Sequence, residues 1–293
     1  MKSIAITMCI LTLVSCGSDT DDSIPGCGPD DEAIAQGPGA TSVLNAGVMT
    51  RLGDEAAPVK FLFDPLYDDH YGTFEPLDNA LIDRIVNGTP PYDGVAAVFV
   101  SHAHGDHFSP TIFNRLMKVQ GDIRLVAPVQ AVDQMRAEES WDPVFATRIT
   151  AISLANGEQA EPVEIAGVTV EAFRSPHSGW PTRHRDVHNL TYRVSAASGA
   201  GTYHRVMHFG DADPARRHYE SHGEFLSAAR TGLAIVPYWH FGTSNPDRLF
   251  DETFNAEAAV GMHVPVAPPE WLRATDRPYF TGEGQQADIP ETR

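Results

Sequence analysis

The run Ser101-His102-Ala103-His104-Gly105-Asp106-His107 concentrates three imidazoles and a carboxylate in seven residues. His102 and His104 are two residues apart, so on extended backbone their rings point to the same side. Gly105 permits a sharp turn, after which Asp106 and His107 can swing back toward the same point. Imidazole nitrogen and carboxylate oxygen are the natural ligands of a borderline divalent ion such as zinc. The chemistry open to such a site is activation of water, whose pKa a bound ion lowers from about 15.7 toward roughly 7. A polar surface loop is the plainer reading of the run, and the density of ligand-type residues argues against it.

The elements around the run must hold it still. Val95 to Val100, directly before it, is apolar at both parities, as befits a strand buried on both faces. Ser109-Pro110 follows, with serine at a helix N-cap and proline at the first helical position. Val59-Lys60-Phe61-Leu62-Phe63 reads as a strand ending at Asp64-Pro65. Further strands are expected at 123–126, 147–153, 168–175, 189–195, 204–210 and 232–237, and helices at 129–137, 214–229 and 254–259. Strands interspersed with helices imply sheets covered by helices. The order alone fits either a doubly wound sheet or a helix-flanked sandwich.

The His-x-His-x-Asp-His pattern after a strand resembles the signature of the metallo-β-lactamase superfamily. The resemblance runs from about residue 42 to 275, because the later ligands of that family find counterparts in order. These are His177 after the run Val168 to Ser175, Asp211 in Phe209-Gly210-Asp211, and His263 after Val260-Gly261-Met262. It implies an αββα sandwich of two mixed sheets flanked by helices. It also implies two divalent ions, zinc first with manganese or iron as alternatives. One ion would be held by His102, His104 and His177, the other by Asp106, His107 and His263, with Asp211 bridging. His240, ending Pro237-Tyr238-Trp239-His240, competes with His263 for the last place and is otherwise expected in the substrate pocket. His208 has the strand parity opposite to Asp211 and is expected to pack away from the site. Asp213 precedes Pro214 and reads as an N-cap, and His184 and His188 read as exposed loop residues.

The chemistry implied is hydrolysis of an ester, lactone, amide or phosphodiester of a small or lipid-like substrate. Its nucleophile would be a metal-bridging hydroxide, with Asp106 orienting it and carrying the proton onward. The chain lacks a cysteine beyond Cys27, which excludes the β-lactamase subclass with a cysteine ligand. His104 stands where the flavin-linked diiron relatives carry glutamate. The segments 59–65 and 188–192 look most like the branch that contains L-ascorbate-6-phosphate lactonase and N-acyl-phosphatidylethanolamine phospholipase D. Trp180, Arg183 and Tyr238 are expected at the substrate cleft, as are Arg185 and, from the early loop, Tyr67, His70, Tyr71 and Phe74. A reading of another class is a metal- or ligand-binding lipoprotein without turnover.

With 21 basic and 39 acidic residues the formal charge is −18, which repels phosphate backbones, so neither nucleic acid as a partner nor a nuclease of the same superfamily is expected. The apolar run Ile4 to Val14 is too short to span a bilayer and ends in Leu13-Val14-Ser15-Cys16, which resembles a bacterial lipobox. Residues 1–15 are then a signal peptide and Cys16 a lipidation site, anchoring the protein to a membrane. With Gly17 next, the outer membrane and a periplasmic location are expected. Cys27 would be the one remaining thiol, so no disulfide is expected. Residues 16–40 read as an acidic tether, 41–280 as the metallo-hydrolase domain and 281–293 as a frayed tail.

Overall fold

The computed structural model describes residues 37–293. The leader, Cys16 and nearly all of the expected tether lie outside them. The first sheet begins with β1 (Gly39–Leu44), β2 (Gly47–Leu52) and β3 (Val59–Phe63), and continues through β4 (Val95–Phe99), β5 (Arg124–Pro128) and β6 (Ile149–Ile152). The second contains β7 (Val163–Ile165), β8 (Val168–Arg174), β9 (Leu190–Gly199), β10 (Thr202–His208), β11 (Thr231–Pro237) and β12 (Ala256–Met262). Each sheet is mixed: β1 to β3 pair antiparallel and β3 to β6 parallel, while β7 to β10 are antiparallel and β10 to β12 parallel.

The apolar patterning explains the layering. In β4, Ala97 and Phe99 join Phe61, Phe63, Tyr192, Val194, Val206 and Ile235 in the core between the sheets. The alternate residue Val98, with Val100 just beyond the strand, packs outward with helices α1 (Asn79–Val86), α2 (Pro110–Val119) and α3 (Val129–Ala137). On the far side, Phe209, Tyr219, Leu226, Phe254 and Leu272 cover the second sheet beneath a 3₁₀ turn at Arg216–His222 and α4 (Gly223–Ala228). The result is the helix–sheet–sheet–helix sandwich expected.

Four local expectations need correction. The 254–259 stretch is not helical and is strand from Ala256: Ala256–Met262 pairs in parallel with β11 over six positions, and the gain from pairing overrides the helix propensity of an alanine-rich run. The 281–293 segment is not frayed. Its strand β13 (Gln286–Ala287) extends the first sheet beside β1, and β14 (Glu291–Thr292) pairs with β10, where Arg205 donates to Thr292 Oγ1 at 2.8 Å. At the other end, β1 starts at Gly39, inside the expected tether. Ser109 sits at the N-cap of α2, yet its hydroxyl donates to Asp68 Oδ2 at 2.6 Å instead of capping the helix.

Candidate metal centre

Because β8 and β10 are both antiparallel to β9, they run the same way as each other and as β12. The loops leaving β8, β10 and β12 therefore emerge together, opposite the loop leaving β4. Those four loops carry His177, Asp211, His263 and the His102–His107 run. The chain reverses at His104, whose carbonyl accepts from the His107 and Phe108 amides at 3.1 and 2.9 Å. Gly105 serves here by its small size. A Cβ would lie 2.9 Å from Asp69 Cβ, and the Gly105 carbonyl takes the amides of Asp68 and Asp69.

The structure brings the seven expected ligand residues together. Three trios have their ligand atoms within 4.8 Å of one another: His102, His104 and His177; Asp106, His107 and His263; and His102, His107 and Asp211. Asp211 spans the first two, with Oδ1 at 3.1 Å from His107 Nε2 and 3.3 Å from His263 Nε2, and Oδ2 at 3.4 Å from His177 Nε2.

Outer partners fix which ring nitrogen faces inward. Asp64, fully buried, accepts from the Ser101 amide at 2.6 Å, the Ser101 hydroxyl at 2.5 Å and His107 Nδ1 at 2.8 Å. The Ser101 hydroxyl, with its own proton given to Asp64, accepts from His102 Nδ1 at 3.0 Å. Asn45 holds two ligand residues, taking His263 Nδ1 on Oδ1 at 2.5 Å and giving Nδ2–H to the Asp106 carbonyl at 2.7 Å. His177 donates through Nδ1 to the Ser178 carbonyl at 2.9 Å, and Asn189 Oδ1 accepts the Asp211 amide at 2.9 Å. In each of these imidazoles Nδ1 is engaged outward, so Nε2 is the nitrogen that faces the cluster. Sequence reasoning missed Asp64, Asn45, Ser101 and Asn189; the one signal in the sequence was the Asp64-Pro65 strand end.

Burial and like-charged neighbours hold His102 well below the ordinary histidine value, and burial together with His177 takes His104 down to about 4. Burial also lowers His177. For His107 burial works against the proton, but Asp211 and Asp106 outweigh it and hold the ring well above its ordinary value; His263 is raised in the same way by Asp211 and Asp106. Burial opposes ionisation of Asp211 too, and His263 and His107 more than offset it, keeping the carboxylate well below the usual range.

These residues fit divalent cations. His102 Nε2 faces His104 Nδ1 at 3.1 Å, and His107 Nε2 faces His263 Nε2 at 3.2 Å, so lone pairs confront each other unless a proton or cation lies between. Asp106 Oδ1, Asp211 Oδ1 and His177 Nε2 are buried without a hydrogen-bond partner, which is costly for polar atoms that nothing else satisfies. A donor set of imidazole nitrogens and carboxylate oxygens suits zinc, manganese or iron.

The remaining expected site residues divide. Trp180 is half-buried with its ring edge-on to His218 at 5.3 Å, and Arg183 is exposed on the same loop. Tyr238 is half-buried and stacks on Trp271 at 5.9 Å. His240, expected in the substrate pocket, is instead fully buried between Phe209 and Phe254 with neither ring nitrogen hydrogen-bonded, and burial takes its pKa down to about 3. The 3₁₀ turn Tyr238–Gly242 rotates it inward and leaves Trp239 near the site, 5.6 Å from the His263 ring. His208 packs on Phe63, as its parity requires, and Asp213 Oδ1 caps the Ala215 amide. His184 is exposed but lies against the site, its ring 4.5 Å from His177 and 5.1 Å from His104.

Residues 60–264 match the family described as the beta-lactamase superfamily domain, and with most of the chain matched, the protein belongs to the metallo-β-lactamase superfamily. The metallo-β-lactamase fold protein YhfI from Bacillus subtilis is 15% identical, with a TM-score of 0.50 over 87% of this chain and 97% of that one. A candidate metal-dependent hydrolase from Parabacteroides distasonis is 15% identical, with a TM-score of 0.51 over 84% of this chain and 93% of its own. A variant of the β-hydroxylase CmlA from Streptomyces venezuelae is 11% identical, with a TM-score of 0.50 over 86% of this chain and 52% of its own. No curated protein sequence matches the chain. At these identities the structural matches speak to the fold; the family match together with the clustered His and Asp residues supports a family of metal-dependent, hydrolase-type proteins.

Proposed function

We propose that the protein is a hydrolase that holds two divalent ions, zinc first, with manganese or iron as alternatives. One trio is His102, His104 and His177, the other Asp106, His107 and His263, and Asp211 lies between them. The observation that carries this reading is the bridging position of Asp211, whose two carboxylate oxygens face the two trios separately. When bound, such ions polarise the bond to be cleaved and make water acidic enough to attack near neutral pH.

The protein's own contribution centres on Asp106. Its Oδ2 is 3.3 Å from His263 Nε2, while Oδ1 is buried and unpartnered. Burial disfavours its charge, but His107 and His263 keep the carboxylate ionised at neutral pH. Oδ1 can therefore accept the proton that the attacking water gives up and deliver it to the leaving oxygen or nitrogen. The water oxygen forms the bond to the acyl or phosphoryl centre as the bond to the leaving atom breaks. Asn45 fixes the Asp106 backbone, so this carboxylate does not drift.

Asp106→Asn keeps the shape and removes the proton acceptor. The expected result is a folded protein that retains metal at His102, His104 and His177 while turnover of esters, lactones or phosphodiesters falls at least about a hundredfold. If single-turnover rates in the variant merely follow metal occupancy, Asp106 has no such role. If metal-loaded wild type cleaves nothing across those classes yet binds a small molecule tightly, the non-catalytic lipoprotein reading replaces this one. We further propose export and anchoring through a lipid on Cys16, in the periplasm. Mass analysis of native protein should find acyl chains on an N-terminal Cys16, and an unmodified Cys16 with Met1 retained would end that proposal.

A further inference from the structure

Six large apolar side chains are left exposed among the described residues, and three of them, Tyr71, Val266 and Trp271, gather at the mouth of the metal centre at 56, 63 and 42% exposure. Their placement can be followed outward from a ligand. Phe74 lies against the His263 ring at 4.0 Å, and the loop bearing it is tied to the chain beyond His263 by the Val266 amide donating to the Thr73 carbonyl at 3.0 Å. From the same imidazole Trp239 is 5.6 Å away, Tyr238 is 5.4 Å from Trp239, and Trp271 stacks on Tyr238 at 5.9 Å and 26°. The chain leaving His263 is Val264-Pro265-Val266-Ala267-Pro268-Pro269, six residues without one polar side chain.

The opposite side of the mouth differs in kind. Beyond His177 the loop 181–186 is exposed throughout and contains Thr182, Arg183, His184, Arg185 and Asp186, with the His184 ring set against His177 and His104. Exposed aromatic and aliphatic side chains on one side of a reacting centre, and exposed polar ones on the other, match a molecule with two unlike ends.

We propose that the substrate is a single-chain amphiphile whose alkyl chain lies along Phe74, Val266, Trp239 and Trp271, with its polar end on the His184 side. This rests on the hydrolase reading given above and names the substrate class of that site. The rim is continuous with the ring of a ligand residue, so whatever covers it touches the reacting centre. A second copy of the chain seated there would close the site. Asp68 and Asp69 flank Tyr71 on a protein of net charge −18, which opposes the surface of an anionic membrane. A free amphiphile meets neither obstacle.

The test is calorimetric binding of two non-hydrolysable ethers, 1-O-hexylglycerol and 1-O-decylglycerol, each below its critical micelle concentration, to the protein with and without metal. Four further methylenes half covered by an open rim should tighten binding about tenfold. Trp271→Ala combined with Val266→Ser, both at exposed positions, should reduce that ratio to below about threefold while metal content stays the same. A wild-type ratio near one, or an unchanged ratio in the double variant, overturns the proposal. So does rim-dependent co-sedimentation with phosphatidylcholine vesicles, which makes the rim a membrane contact, or a dimer that the double variant dissociates. Chain-length-dependent binding by a protein that cleaves no ester, lactone, amide or phosphodiester keeps the rim and removes the hydrolase reading, so the two failures are distinguishable.

Discussion

Asp64→Asn tests whether the outer hydrogen bonds set the ligating form of the site. In the wild type Oδ1 takes the Ser101 amide, and Oδ2 takes both the Ser101 hydroxyl and His107 Nδ1–H. Asparagine has the same shape and tolerates the left-handed backbone of residue 64, where φ is 43°. It supplies only one acceptor oxygen. If that oxygen faces the Ser101 amide, the new NH₂ points at His107 Nδ1–H, and with the amide reversed it points at the Ser101 N–H. The first arrangement is relieved only by moving the His107 proton to Nε2, which is the atom aimed at the metals. Loss of such an outer partner typically costs about 10- to 100-fold in metal affinity, or roughly 1.4–2.7 kcal/mol. The second leaves a buried donor unsatisfied at about 1–3 kcal/mol of fold stability. Competition with a chromophoric chelator measures the affinity, and denaturant melts of metal-free protein measure the stability. At least the ion held by Asp106, His107 and His263 should bind more weakly. A variant that loses stability but binds both ions as tightly as wild type would show that Asp64 is a structural residue only and does not set the His107 tautomer.

Three further outcomes follow from the same geometry. Because His107 and His263 are held above the ordinary value of 6.5 without metal, cation binding at pH 7 should expel protons and tighten as pH rises; calorimetry in buffers of different ionisation enthalpy should show it, and a buffer-independent heat would refute it. The sign for the metal-free fold is opposite: these two raised groups stabilise it fully below about pH 6.5 and lose that contribution as pH climbs through their folded values, whereas the lowered Asp211 contributes above about 3.8 and loses it as pH falls further. Gly210→Ala should cost about 3 kcal/mol or more and displace Asp211, since a Cβ at φ +52° would lie 2.5 Å from both Asn189 Oδ1 and Ser101 Cβ. A variant with wild-type midpoint and metal content would contradict that.

What could be read from the sequence follows sequence distance. His102, His104, Asp106 and His107 were legible because one loop carries them, and the pattern of their types survives any detail of packing. His177, Asp211 and His263 come from the ends of three strands of the second sheet, and only the family resemblance told them from other strand-end residues. Where that help was thin, the reading failed. His240 also ends an apolar run, but a 3₁₀ turn after β11 puts its ring in the outer aromatic cluster and presents Trp239 instead, and no local pattern separates the two outcomes. The β12 error has the same source, since an alanine-rich run becomes strand through a partner supplied by β11.

The partners that prepare the ligands were the least legible, for a physical reason. Asp64 is 43 residues from His107 and Asn45 is 218 from His263, and each is a common polar residue at a turn where either would be unremarked. Their role exists only once the two sheets face each other, because each acceptor must reach the ring nitrogen that points away from the centre. Yet a histidine can ligate only through a nitrogen without a proton, so those distant acceptors decide whether the sequence-visible residues form a site at all. Composition and spacing supply the donors, while the packing of β1, β3 and β12 around the motif sets where their protons reside.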